Sequence, residues 1–303
     1  MNLLNLVRHV QSISKDLGGV QFIEHAKISE FHWFNIKVQV ENRLISDKAF
    51  TGIDLNPLVA LSKACSEMVE RKSFSIGHEL GLRSCQTERS DGFAAYPKNP
   101  GTLSQQKARE NALAEAIERY AWANWWDDLE IAYSQKTYSL DEFKNVFPSA
   151  AKMMAEINSA TPVKTIHIII PEFSNYADHQ LIILVAEIQD GLVTGGACGK
   201  ILDIDNTLVR AMSELFRHAL VAIQNRELLM VLNFYERRLL YFLSPEGLST
   251  FFKRISLRGN KQISFPKLSI DEIIDVESTH IVHRCLFENQ PAFIGGAVER
   301  MCL

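Results

Sequence analysis

The sequence predicts a mixed α+β fold, in which paired strands are punctuated by helices. Three observations carry this. Phe34, Ile36, Val38 and Val40 alternate with polar or smaller neighbours, as in a half-buried strand. Ser104 to about Trp126 is rich in alanine and places Leu113, Ile117 and Tyr120 on one stripe, the strongest helical signal in the chain. Apolar runs at about 164–171 and 181–189, separated by Glu172 to His179, read as a strand pair.

Taken in order, residues 3–16 show helical spacing (Leu3, Leu6, Val7, Val10, Ile13) that stops at Gly18-Gly19. Val20 to Ile23 and Phe34 to Val40 read as strands. Asn56-Pro57 opens a helix to about Arg71, with proline where its missing N–H costs little. Ser73 to Cys85 reads as another strand, and Ser90 to Gly101 as a polar loop. After the 164–189 pair, a glycine cluster (Gly195, Gly196, Gly199) leads into a helix from about Asn206 to Asn225. The 228–242 segment predicts a helix with Arg237-Arg238 as an exposed basic step, and 245–257 a further helix. His280 to Phe287 and Ala292 to Ala297 predict the last strands. No linker or low-complexity tract cuts the chain, so 1–303 reads as a single domain, with a motif-bearing core at about 51–220 and a C-terminal portion at about 221–303.

Composition narrows the function classes. A 47% apolar, 22% charged chain is an ordinary globular one. Net charge is −4, which offers no overall attraction to nucleic acid or anionic lipid. Cys65, Cys85, Cys198, Cys285 and Cys302 are odd in number, scattered and form no Cys-x-x-Cys pair, so neither a disulfide framework nor a structural zinc site is expected. Aliphatic runs such as Leu181 to Val185 fall far short of the ~20 residues that span a bilayer. The expected setting is cytoplasmic.

The three strongest helices share a polar pattern at i, i+4 and i+7: Lys63, Glu67, Glu70; then Asn111, Glu115, Glu118; then Arg210, Glu214, Arg217. Such residues share one helical face. The lead-in recurs too, because Gly52 precedes Glu67 by the same 15 residues that separate Gly199 from Glu214. A solvated face stapled by ion pairs explains one such stripe. Three matched stripes point instead to an enclosed acidic site. Glu67, Glu70, Glu115 and Glu118 around one point would repel prohibitively unless a cation joined them. Oxygen-only ligands favour Mg²⁺, whose usual companion is a substrate phosphate, and Lys63, Arg71, Arg119 and Arg210 offer positive charge for it. No Walker A, G-x-G-x-x-G or G-x-S-x-G motif is present.

These segments resemble the YcaO-domain family, ATP-dependent enzymes that activate a peptide-backbone amide by phosphorylating its oxygen. SKACSEMVERKS, preceded by TGID, is similar to the family's first E-x-x-E-R helix. SDGFAAYPKNPGTLSQQKARENALAEAIERYA resembles its second, and GGACGKILDIDNTLVRAMSELFRH its glycine turn and R-A-x-x-E helix. The resemblance implies repeated strand-helix units around a central nucleotide site. It implies that Glu67, Glu70, Glu115 and Glu118 hold Mg²⁺, that Asn111 stands near the phosphates and that Arg210 contacts the triphosphate; with Lys63, Arg119 and Glu214 these make up the expected ATP-binding set. It assigns no single catalytic residue.

The implied reaction gives azoline heterocycles in a ribosomally made precursor peptide. With an external sulfide the product is a thioamide. A leader-binding or activating partner protein is expected, with no nucleic acid and no membrane, and homo-oligomerisation is left open. Lys63, Ile53 and Ala114 depart from the family pattern, and GGAVERMCL lacks its Pro-rich tail. These departures motivate an alternative: a degenerate subunit that binds peptide or partner without turning over ATP. An unrelated phosphohydrolase would explain the glutamates but not the three-part repeat. Elsewhere, His280 and His283 read as structural, on opposite faces of a strand. Cys198 lacks an evident histidine partner for a nucleophilic role. Trp122, Trp125 and Trp126 read as core or interface, and His78-Glu79 as a turn.

Overall fold

A computed structural model describes residues 8, 11, 20–28, 30–38, 50–79, 91–98, 103–189, 191–225, 234–276, 279–292 and 297–301. The chain divides into two compact units. The first comprises Met1–Cys85, Phe93–Ala112 and Ile270–Cys285, and the second Gln86–Gly92, Leu113–Ser269 and Leu286–Leu303.

In the first unit, β1 (Val20–Ile28), β2 (Phe31–Val38) and β3 (Phe50–Asp54) form an antiparallel meander, with Phe34 opposite Gly52. Helix α1 (Pro57–Glu79) packs on it. Asn56 opens α1 as expected: its Oδ1 accepts the Leu58 N–H at 2.9 Å, while its own N–H is held by Asp54 Oδ1 at 2.9 Å. Gly52 sets the approach of helix to sheet, because a Cβ there would lie 1.9 Å from the Ala60 carbonyl oxygen and 2.7 Å from the Ala64 nitrogen. Phe34, Ile36 and Phe50 of the sheet, Leu61, Met68 and Val69 of α1, and Phe93 and Val282 complete this core. A second sheet orders β4 (Gly92–Pro97), β10 (His280–Phe287) and β9 (Leu268–Val276).

The second unit holds an antiparallel sheet in the order β5 (Tyr133–Tyr138), β6 (Thr165–Pro171), β7 (His179–Glu187), β8 (Leu192–Lys200). Leu181 to Ala186 of β7 are all buried. Two adjacent glycines of β8 show why. A Cβ at Gly195 would meet Leu215 and Ala211 of helix α5 (Ile204–Asn225), and one at Gly196 would meet the Trp122 ring of α2 (Ser104–Asp127). Successive strand residues face opposite sides, so the sheet is covered on both faces here and no polar alternation survives. Helices α3 (Leu140–Val146), α4 (Pro148–Ala160), α6 (Phe234–Phe242) and α7 (Pro245–Ser256) complete the unit.

Several expectations are corrected. Ser73 to Glu79 continue α1 instead of forming a strand, and the proposed 80–85 remainder lies outside the described residues. Ser73, Ser75, Ile76 and Gly77 have weak helix propensity, yet the helix continues through them. His78-Glu79 is accordingly helix, not turn. The glycine cluster is strand β8, since its glycines answer close packing rather than a bend. Part of the predicted 90–101 loop is β4. Arg237 is exposed as expected, but Arg238 is fully buried and donates to the Ala297 carbonyl at 3.3 Å. Neither Ala292 nor Ala297 is in a strand, and 293–296 lie outside the described residues, as does the predicted 3–16 helix apart from helical Arg8 and Gln11. Strands β3, β5 and β9 and helices α3 and α4 were not anticipated, although α4 carries Ala150, Met153, Met154 and Ile157 at helical spacing and α3 opens on a Ser139–Glu142 capping box.

One buried cation ties the last turn of α2 to α7. Arg254 is 3% exposed, donates through Nε to the Trp125 carbonyl at 2.8 Å, and stacks 4.7 Å from the Trp125 ring. Arg254→Ala is expected to destabilise by about 2–4 kcal/mol, because the carbonyl loses its donor and a cavity opens. The midpoint of urea unfolding would report it, and an unchanged midpoint would refute it.

Candidate functional site

In the second unit the predicted acidic and basic residues converge. Glu115 and Glu118 sit one turn apart on α2, and Arg210 and Glu214 on α5. Glu118 Oε2 accepts the Cys198 N–H at 3.1 Å, and Arg210 Nη1 donates to the carbonyl of the same Cys198 at 3.2 Å. One residue of β8 therefore ties α2 to α5. Arg119 pairs with Glu115 and donates to the Asp91 carbonyl, while Glu214 pairs with Arg217.

The two carboxyls of the cluster shift in opposite directions. Burial, then repulsion from Glu115 and Glu214, pushes the Glu118 carboxyl up to about 8 against the pull of Arg210 and Arg119. For Glu214 burial acts upward too, but Arg217, His218 and Arg210 outweigh it, and its carboxyl sits below the usual range. Burial and Glu118 raise the Cys198 thiol well above its ordinary value, so it stays protonated and inert as a nucleophile.

In the first unit, Glu67 Oε2 accepts the Thr51 N–H at 3.2 Å, and the Glu67 carboxylate lies 3.9 Å from Arg71. Glu70 is half-buried on the same helix. Lys63 is engaged locally: its Nζ donates to Asp54 at 2.8 Å and to the Ile53 carbonyl at 3.1 Å, closing the turn between β3 and α1. Asn111 is exposed.

The repeat has two further marks that the helical stripes alone did not reveal. A Cβ at Gly52 would strike Ala60, and one at Gly199 would strike Thr207, eight residues on in both cases. Leu55, Leu103 and Leu202 each lie 12 residues before Glu67, Glu115 and Glu214, and are 52%, 70% and 100% exposed. A search for equal spacing to each central glutamate would have found those leucines.

His218 ties α5 to β8. It is 2% exposed, and its Nδ1–H donates to the Thr194 carbonyl at 2.6 Å. Burial lowers its pKa from 6.5 to about 4 despite Glu214. A depressed histidine contributes stability above 6.5 that is lost as the pH falls through about 4. The shift corresponds to about 3 kcal/mol. Thermal melts between pH 7 and 4 should show that loss in the parent and a shallower one in His218→Gln. Parallel curves would refute it.

The donor set fits a hard dication. It offers carboxylate oxygens only, one of them held protonated by burial and by a neighbouring carboxylate, which is the repulsion a bound Mg²⁺ would relieve. Arg119 and Arg210 beside it suit phosphate oxygens.

No protein-family model matches the sequence, and no curated protein matches it. Solved structures do. The YcaO protein of Methanopyrus kandleri, determined with AMPPCP and Mg²⁺, superposes with a TM-score of 0.57 over 96% of this chain and 91% of that one, at 12% identity. The chain has the YcaO fold. A chain of the E. coli microcin synthetase McbBCD complex matches at TM-score 0.55 and 9% identity, covering 88% of this chain and 86% of its own. With pro-MccB17 bound, that complex matches at 0.53. A heterocyclase solved with substrate and cofactor matches at TM-score 0.55 and 12% identity over 98% of this chain and 54% of its own. The mixed α/β YcaO architecture read from the three repeated motifs is thus the one observed.

Proposed function

We propose that this chain is an Mg²⁺- and ATP-dependent enzyme that O-phosphorylates a backbone amide of a ribosomally made precursor peptide, giving azoline rings. The observation that carries the reading is Glu118: a half-buried carboxylate fixed on the Cys198 N–H, crowded by Glu115 and flanked by Arg119 and Arg210. Glu67, Glu70, Glu115 and Glu118 are the proposed metal ligands, and Lys63, Asn111, Arg119, Arg210 and Glu214 the nucleotide-binding set. Bound Mg²⁺ and ATP would supply the Lewis acid and the phosphoryl group for the amide oxygen. The chain's own part is to orient and neutralise. Arg210, anchored on the Cys198 carbonyl, and Arg119, anchored on the Asp91 carbonyl, present charge that needs no rearrangement.

Support comes from the neighbours. One was solved with AMPPCP and Mg²⁺, one with pro-MccB17 in a multi-protein complex, and one is a heterocyclase. By that likeness the reading extends to a partner protein that delivers the peptide, a cytoplasmic setting, and residues 1–303 acting as one functional domain. Among the described residues no helix is long and apolar enough to cross a membrane. Thioamide formation is the alternative product.

A second reading has its own observation. Lys63, placed in the nucleotide-binding set, spends its ammonium on Asp54 and the Ile53 carbonyl. That suits a subunit that keeps the fold and binds peptide or partner without ATP turnover. Calorimetric titration with a non-hydrolysable ATP analogue, with and without Mg²⁺, separates the two. Mg²⁺-dependent binding supports the enzyme. Its absence, in the isolated chain and again in a reconstituted complex, refutes it.

A further inference from the structure

We propose that Asp271, His283 and Cys285 form a second metal site, chemically distinct from the glutamate set and selective for a borderline dication of the Zn²⁺ class. All three belong to the first unit. His283 and Cys285 are two residues apart on β10, so the pleat turns both to one face, and Asp271 reaches them from the neighbouring strand β9. One ligand atom from each lies within 4.8 Å of the other two. His283 Nε2 is 2.8 Å from Asp271 Oδ1, and the Cys285 thiol points at the same oxygen from 3.7 Å. Ligand atoms around a tetrahedral Zn²⁺, each roughly 2.0–2.3 Å from the metal, stand roughly 3–4 Å apart. The observed spacing needs only small adjustments to reach that.

One feature argues for a built site: the His283 side chain is 5% exposed and presents Nε2 to Asp271, beside the Cys285 thiol. Arg109 also fixes the Asp271 carboxylate from outside, its Nε 2.9 and 3.0 Å from the two oxygens and its Nη2 2.6 Å from Oδ2. The carboxylate is thereby held with Oδ1 toward the histidine and the cysteine as well as Arg109, in the manner of the outer partners that orient metal ligands.

The ligand types choose the metal. A thiol, an imidazole and one carboxylate suit Zn²⁺ or Co²⁺, whereas Mg²⁺ prefers oxygen alone. On binding, the S–H bond of Cys285 breaks, its proton leaves to solvent and the thiolate takes the metal. The imidazole binds neutral through a nitrogen lone pair, its ring proton on the other nitrogen. Thiolate and carboxylate together balance the dication. Asp271 is exposed, which gives the ion a way in, while His283 and Cys285 close the site behind it.

Metal-stripped full-length protein titrated with Co²⁺ tests this. The expected result is one equivalent bound, with a thiolate-to-cobalt charge-transfer band that Zn²⁺ abolishes. Cys285→Ser should lose the band and bind Zn²⁺ about 100-fold more weakly. Cys65→Ser, at another buried cysteine of the same unit, should keep it. Asp271→Asn, which keeps the thiol and the side-chain shape, should retain the band but bind about 10-fold more weakly, and it decides the matter if Cys285→Ser fails to fold. A natively folded parent that shows no band overturns the site, as does a band that persists in Cys285→Ser or an Asp271→Asn affinity equal to the parent's.

Discussion

Glu118→Gln is expected to lower Mg²⁺-dependent nucleotide affinity by about 100-fold while leaving the fold intact. Glutamine keeps an oxygen for the Cys198 N–H, so the link between α2 and β8 survives. What it removes is the charge that a dication needs and that Glu115 repels. The parent should also show a pH signature. Because the folded-state Glu118 carboxyl is raised to about 8 from 4.5, it contributes stability present below 4.5 that is lost as the pH rises through about 8. In metal-free protein, thermal melts from pH 5 to 9 should decline for the parent and flatten for Glu118→Gln. Mg²⁺ must displace that proton, so its affinity should climb by up to about tenfold per pH unit below about 8. Equal nucleotide affinity in parent and variant would remove Glu118 from the metal set.

Gly195→Ala is expected to destabilise the second unit strongly. Its Cβ would lie 2.2 Å from the Leu215 nitrogen and 2.6 Å from the Ala211 carbonyl oxygen, both backbone atoms of α5. Neither can rotate away, so α5 must shift off the sheet. A cost of about 3 kcal/mol or more is a large share of a typical stability of roughly 5–15 kcal/mol. It should lower the melting temperature by about 6–12 °C. The adjacent Gly196→Ala is the informative control. Its Cβ would lie 2.3 Å from the Trp122 ring, a side chain that can be trimmed. Trp122→Leu should therefore partly rescue Gly196→Ala and leave Gly195→Ala unrescued. Equal melting temperatures for the two alanine variants would show that α5 yields as easily as a side chain.

Parts of this molecule were legible because they are local. The helix from Ser104 follows from its alanines and apolar stripe, and the start of α1 from Asn56-Pro57. The spacing of Lys63, Glu67 and Glu70, of Asn111, Glu115 and Glu118, and of Arg210, Glu214 and Arg217 follows from the helical period alone. Where the reading failed, distant packing decided. Ser73 to Glu79 have weak helical preference but continue a helix that buries Leu61, Met68 and Val69. Gly195, Gly196 and Gly199 signal a turn in sequence, yet in β8 they make room for two helices and a threonine.

The candidate sites divide along the same line. Sequence by itself determined which carboxylates share a helical face and that their neighbours are arginines, because both follow from a fixed rise and rotation per residue. It could not determine what each group would spend its hydrogen bonds on. Lys63 closes a turn on Asp54, Arg210 anchors on a carbonyl of β8, and Asp271 meets His283 and Cys285 across two strands. Those outcomes depend on which strand lies beside which and on how much water the contact excludes. Burial sets the charge state of Glu118 and the inertness of Cys198, and burial belongs to the tertiary structure alone.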